Sequence, residues 1–131
     1  MSVAAGASDG ESLLSIDVEQ VDGVATVHVT GELDVASKGE LRRTLTELAL
    51  GVVPIVVDLS ELDFIDSAGL GTLVNAHKRV RLLQGALVAV CPPQSRASDL
   101  MRVTGLNRVF RVFDTVEQAV AAVRDGRPER S

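Results

Sequence analysis

Residues 54–69 read PIVVDLSELDFIDSAG. After Pro54 come four apolar residues among five, without alternation. A short continuous run of this kind suits a central strand covered on both faces. Pro54 has no N–H for a ladder, so it fits only at the strand's start. Beyond FIDSAG (64–69) the period changes: Leu70, Leu73, Val74, His77 and Val80 fall on one helical stripe. The stretch is therefore a buried strand feeding a helix, with Asp66 and Ser67 at the junction.

The flanking sequence alternates strands and helices in the same way, without an internal repeat. Upstream, LLSIDVEQ (13–20) and VATVHVTG (24–31) read as strands. In the second, Val24, Thr26 and His28 alternate with Ala25, Val27 and Val29. VDG (21–23) between them is a hairpin turn signal. SKGE (37–40) fits a capping box, with Ser37 as N-cap and Glu40 three residues on. Leu41, Leu45, Leu48 and Val52 follow at helical spacing, and Gly51 can end that helix. Gly39 inside it costs about 1 kcal/mol relative to Ala, with no functional account.

Downstream, Gly85 is expected to end the second helix. ALVAVC (86–91) reads as another buried strand, stopped by Pro92 and Pro93. QSRASDLMRVTG (94–105) reads as a short helix closed by Gly105, and RVFRVF (108–113) as a brief strand. TVEQAVAAVR (115–124) is the last helix, with a second capping box at Thr115 and Gln118 and a stripe of Val116, Val120 and Val123. The order β-β-α-β-α-β-α-β-α predicts one α/β domain, its central sheet mixed but largely parallel and flanked by about four helices. The domain is expected over residues 11–125, with a disordered lead at 1–10 and a flexible tail at 126–131.

Composition narrows the function. Hydrophobic residues make up 46% of the 131, enough for a core. That core must be aliphatic, because there are three Phe and no Trp or Tyr. A pocket that stacks bases or sugars on aromatic rings is not expected. The net charge of −5 argues against direct nucleic-acid binding, which needs a basic surface. Arg42, Arg43, Arg79 and Arg81 form small groups and read as solvated helix faces. Cys91 is the single cysteine, so no intrachain disulfide and no thiolate metal site is expected. His28 and His77 stand alone, and no metal or cofactor is called for. MSVAAGASDGES lacks the pattern of a signal peptide, and no run of 18 apolar residues offers a membrane span. A soluble cytoplasmic protein is the default expectation.

In open α/β sheets, ligands and partners meet the loops at the carboxyl ends of strands. Two such segments stand out: TGELD (30–34), with Gly31, Glu32 and Asp34, and ELDFIDSAG (61–69), with Asp63, Asp66, Ser67 and Gly69. If their strands are neighbours, both lie on one acidic edge. A catalytic Ser67 would need a base and an oxyanion hole. The G-x-S-x-G elbow is absent, since Ile65 stands at the first glycine's position, and His77 lies about three helical turns away. GLG (69–71) is a fragment of a dinucleotide fingerprint whose last position is Val74, so a phosphate cradle is not indicated. The carboxylates read as solvated and capping groups rather than a metal or glycosidase pair. Asp66 is a good N-cap, which leaves Ser67 at the first helical position with its hydroxyl free and open to modification.

Several segments together carry a family resemblance: GELD followed by a helix, then VVDLSELDFIDSAGLGTLVNAHKRV, ALVAVCPP and MRVTGLNRVFRVFDTVEQAV. From about residue 13 to 123 the chain resembles the STAS-domain anti-sigma-factor antagonists of bacteria, most specifically in DFIDSAGLG. The resemblance implies a small α/β domain that is not an enzyme. It implies that Ser67 is a phosphoacceptor for an anti-sigma factor that is also a serine kinase. The unphosphorylated form would bind that partner and release a sigma factor, and a PP2C-type phosphatase would reset the serine. Asp34 and Asp66 match acidic positions of the family's partner surface, and Gly31, Glu32, Asp63 and Gly69 complete the expected interface. The alternative within the same family is a STAS scaffold or regulatory subunit, of stressosome or lipid-transport type, that is not phosphorylated.

Overall fold

The computed structural model describes residues 13–51 and 53–124. The expected lead, the tail and Val52 lie outside the described residues. The described residues form strands β1 (Leu14–Val21), β2 (Val24–Leu33), β3 (Ile55–Ile65), β4 (Leu87–Val90) and β5 (Val112–Phe113). Their helices are α1 (Lys38–Leu50), α2 (Ser67–Leu82), α3 (Arg96–Thr104) and α4 (Val116–Val123), with a 3-10 turn at Leu106–Arg108. The order is the one expected from the alternating patterns.

Asp22 and Gly23 both take positive φ, at 56° and 76°, so the β1–β2 hairpin closes through a two-residue turn of the type that matches strand twist. The strands lie in sequence order, β1-β2-β3-β4-β5. β1 is antiparallel to β2, and every later pair is parallel. The aliphatic run after Pro54 occupies the middle of this sheet. Ile55, Val57 and Leu59 point into the larger core, with Leu41 and Leu45 of α1, Leu73 and Val80 of α2 and Met101 of α3. Val56 points to the other face and joins Val24, Val88 and Val90 under Ala119 and Val123 of α4. Each fully buried Leu or Val contributes about 1.5–3 kcal/mol of transfer free energy.

Three helices therefore cover one face and the eight-residue α4 covers part of the other. Where α4 no longer reaches, that face turns polar: His28 of β2 lies directly opposite Asp58 of β3.

Local details differ from the sequence expectation in five places. Ser37 precedes α1 but makes no cap hydrogen bond, because its hydroxyl turns back to the Glu32 carbonyl at 2.8 Å. The positive φ after α2 is carried by Gln84 (61°), and Gly85 instead donates its N–H to the Val80 carbonyl. The second capping box forms half as drawn. Gln118 N–H donates to the Thr115 hydroxyl at 3.2 Å, but the Gln118 amide oxygen accepts from Asp114 N–H rather than from Thr115. RVFRVF pairs only through Val112 and Phe113. Finally, GEL and ELDFI are strand rather than loop. β2 and β3 stay paired to Leu33 and Ile65 by absorbing two register shifts, one before Thr30 and one between Gly31 and Glu32.

Candidate functional site

The parallel pairing of β2 and β3 brings their carboxyl ends together, as an acidic shared edge requires. Asp66 is the tie between them. Its N–H donates to the Leu33 carbonyl at 3.1 Å. One carboxylate oxygen accepts from Gly69 N–H at 2.9 Å and caps α2. The other accepts from Val35 N–H at 3.3 Å, across the gap to the β2–α1 connection. Asp34 shapes that connection from the other side. Its carboxylate accepts from the N–H groups of Ala36 and Ser37 at 3.0 and 3.1 Å, an Asx turn. Ser37, buried at 1% exposure, locks the turn by accepting from Asp34 N–H at 3.0 Å.

Gly69 is required by packing. A Cβ there would sit 2.7 Å from both the Leu33 side chain and the Leu33 carbonyl, so α2 can approach β2 this closely only with glycine. Gly31 has φ of 102°, and a Cβ would overlap the Leu13 carbonyl oxygen at 1.9 Å. It serves the bulge at the end of β2.

Ser67 is the first residue of α2 and is exposed. Its hydroxyl has no hydrogen-bond partner among the described residues. The structure thus gathers Asp34, Asp66, Ser67 and Gly69 at one place. Glu32 lies beside them in β2, half-buried and paired with Phe64 of β3. Asp63 goes elsewhere: with Phe64, Arg96, Leu100 and Val103 it lines a groove of about 270 Å³ between the end of β3 and α3.

Among the described residues no histidine serves Ser67 as a base. His77 is buried, its ring edge-on to Phe110 with centroids 5.0 Å apart. His28 is engaged elsewhere in the sheet, with Nδ1 2.8 Å from Asp58 and Nε2 3.2 Å from Glu19. Burial works against its charge, but the hydrogen bonds and charges of Asp58 and Glu19 outweigh that and raise its pKa above the ordinary value. Asp58 also accepts from the Ser60 hydroxyl at 2.6 Å. Burial, with the Asp58 charge second, pushes the Cys91 thiol up to about 12, so it stays protonated and unreactive. Among the described residues no group of three or more His, Cys, Asp or Glu could hold a metal ion. No helix of the described residues is long and apolar enough to cross a membrane.

Sequence reasoning missed Ser37, Val35 and Asp58 as parts of these networks. Asp58 had a signal: a carboxylate inside an apolar central run must find a partner, and His28 stands 30 residues upstream, in the strand expected before it. Val35 enters through its backbone N–H, which no side-chain pattern announces.

The fold is a small mixed α/β sheet with a solvent-facing serine at the start of α2, directly after the capping Asp66. The sequence profile of the STAS domain matches residues 15–119. The anti-sigma-B factor antagonist of Bacillus subtilis is 30% identical over 107 residues, covering 82% of this chain and 97% of its own. The anti-sigma-F factor antagonist RsfB of Mycobacterium tuberculosis is 29% identical over 118 residues, covering 89% and 95%. The crystal structure of an anti-sigma factor antagonist from Mycobacterium paratuberculosis superposes with a TM-score of 0.73 at 27% identity, covering 86% and 95%. The chain belongs to the STAS-domain family of anti-sigma factor antagonists, which are regulatory proteins and not enzymes.

Proposed function

We propose that this chain is a cytoplasmic antagonist that binds an anti-sigma factor when Ser67 is unmodified and lets it go when Ser67 is phosphorylated. The anti-sigma factor is then also the serine kinase, and a PP2C-type phosphatase restores the binding form. The observation that carries this reading is the state of the Ser67 hydroxyl: exposed at the first position of α2, unused by the fold, beside a carboxylate that already fills the capping role.

The physics supports a switch of charge rather than of shape. Phosphorylation adds about −1.5 to −2 charges and three acceptor oxygens. The α2 N-terminus tolerates that charge, worth up to about 1 kcal/mol at an exposed site, so the fold is kept. Asp34 and Asp66 already make the edge acidic. A partner surface that accepts two carboxylates meets a dianion as well, and a loss of about 3 kcal/mol lowers affinity roughly a hundredfold.

The test is to incubate the protein with kinase-type anti-sigma factors and ATP and to map phosphate by mass spectrometry. Phosphate on Ser67 is expected, and its absence with every such partner overturns the reading in favour of an unphosphorylated scaffold. Ser67→Glu is expected to weaken binding roughly a hundredfold and Ser67→Ala to leave it constitutive. Equal binding by both variants removes charge at this position as the switch.

A further inference from the structure

Five cations that the sequence leaves as scattered helix-surface residues are gathered by the fold into one groove. Lys38, Arg42 and Arg43 come from α1, and Lys78 and Arg79 from α2. A depression of about 470 Å³ between the two helices is lined by Lys38, Arg42, Lys78 and Arg79 together with Thr72 and Asn75. A second, of about 620 Å³, continues it past Arg42, Arg43 and Arg79 to Glu47.

Three facts separate this groove from an ordinary solvated helix face. Lys38, Arg42, Arg43 and Lys78 form no ion pair among the described residues. Arg79 is held in place: its guanidinium donates to the Thr46 hydroxyl at 3.1 Å. The helix dipole does not account for the cluster either: Lys38 is the first residue of α1, at the positive end where a cation is disfavoured. Carboxylates are scarce around it. α2 has none in its 16 residues, and of Glu40 and Glu47 on α1 only Glu47 lines the groove. All of this occurs in a chain of net charge −5.

We propose that the α1–α2 groove docks a carboxylate-rich segment of the same anti-sigma factor that meets Ser67, an inference that rests on the functional reading above. The groove begins on the same two helices whose starts flank the acidic edge. Lys38 follows Ser37 directly, and Thr72 stands five residues beyond Ser67 on α2. Leu82, 84% exposed, lines the groove's far part and offers an apolar contact beside the cations. Unpaired guanidinium and ammonium groups in a cleft steer an acidic segment during encounter and set its register. A partner so placed lies along α2 with its acidic segment running toward Ser67, so the phosphate adds repulsion against that segment as well as against the edge.

The experiment compares the wild-type chain with Lys38→Gln/Arg42→Gln/Lys78→Gln, using the anti-sigma factor that binds wild type in the assay above. Association rates are read by surface plasmon resonance at about 50 and about 300 mM NaCl. The expected result is association about tenfold slower at low salt, with the wild-type salt dependence largely lost. Arg124→Gln, on the α4 side of the sheet, is expected to leave the rate within about twofold. Thermal melts of all three proteins verify folding. A triple variant with the wild-type rate and salt dependence overturns the groove while the Ser67 reading stands. No binding by wild type overturns both. Unchanged anti-sigma binding together with lost binding to phosphatidylserine vesicles would make the groove a membrane contact and overturn the proposal.

Discussion

The acidic edge and the basic groove adjoin along α2, and they hold their charges in opposite ways. At the edge, the carboxylates of Asp34 and Asp66 accept hydrogen bonds from four backbone N–H groups, those of Ala36, Ser37, Gly69 and Val35. They are built into the fold. In the groove, Lys38, Arg42, Arg43 and Lys78 hold nothing among the described residues. Removing an edge carboxylate therefore disturbs structure and binding together. Removing one of these four groove cations is expected to disturb binding and leave the fold intact. The edge positions Ser67, and the groove is free to recruit.

The largest expected effects are at the glycines that let the edge close. Gly31→Ala forces a side chain into positive φ and onto the Leu13 carbonyl, and a loss of about 3 kcal/mol is expected in urea denaturation. Gly69→Ala meets Leu33 at 2.7 Å and is expected to lose about 2 kcal/mol. A Gly69→Ala protein as stable as wild type would mean that α2 need not pack so closely on β2. Next comes Asp66→Ala, which removes the cap and the link to Val35, at about 1–2 kcal/mol. Asp66→Asn retains a capping oxygen and is expected to recover most of that. Arg42→Ala and Lys78→Ala are expected to stay within about 0.5 kcal/mol of wild type. If either costs as much as Asp66→Ala, the contrast between edge and groove fails.

Much of the fold was readable because its signals are local. The run after Pro54 has four apolar residues among five without alternation, and the residues after Ser67 repeat at helical spacing, so strand and helix follow from period alone. Asp66 as cap was readable for the same reason, since it stands directly before that period. What was hidden depends on partners far along the chain. Ser37 and Glu40 look like a capping box until Glu32 draws the Ser37 hydroxyl backward. The GEL and ELDFI segments look like loops until β2 and β3 absorb two bulges, one of which turns on Gly31 meeting Leu13. Gln84 takes the positive φ after α2, where pattern reading looks to Gly85 to end the helix. The groove is invisible until α1 and α2 lie side by side, because Arg42 and Lys78 are 36 residues apart in the sequence.

A pH dependence probes the third charged region, on the face that α4 leaves partly open. The folded-state pKa of His28 is raised above its ordinary 6.5, so protons bind more tightly to the folded chain. Its contribution is therefore full below 6.5 and is lost as pH rises through the folded-state value. His28→Gln should cost more stability at about pH 6 than at about pH 9, read by chemical denaturation. Equal costs at both values would mean that the charges of Asp58 and Glu19 do not hold His28 protonated. Like the edge carboxylates, His28 is hydrogen-bonded within the fold, so its titration is felt there.

Lys38→Glu is a small change in stability and the sharpest test of the contrast. Lys38 opens α1, where the helix dipole favours a negative charge. Glu at that position is expected to stabilise the protein by about 0.3–1 kcal/mol. The same substitution replaces a groove cation with a carboxylate, so association with an acidic partner segment is expected to slow. Stability and binding then move in opposite directions from one side chain, which no merely damaging mutation does. A Lys38→Glu protein that melts lower than wild type would show that Lys38 serves the fold after all. One that melts higher and binds unchanged would leave the cation without a role in recognition. Only the combination of a tighter fold and a slower encounter fits a lysine held at the wrong end of its helix for the sake of a partner.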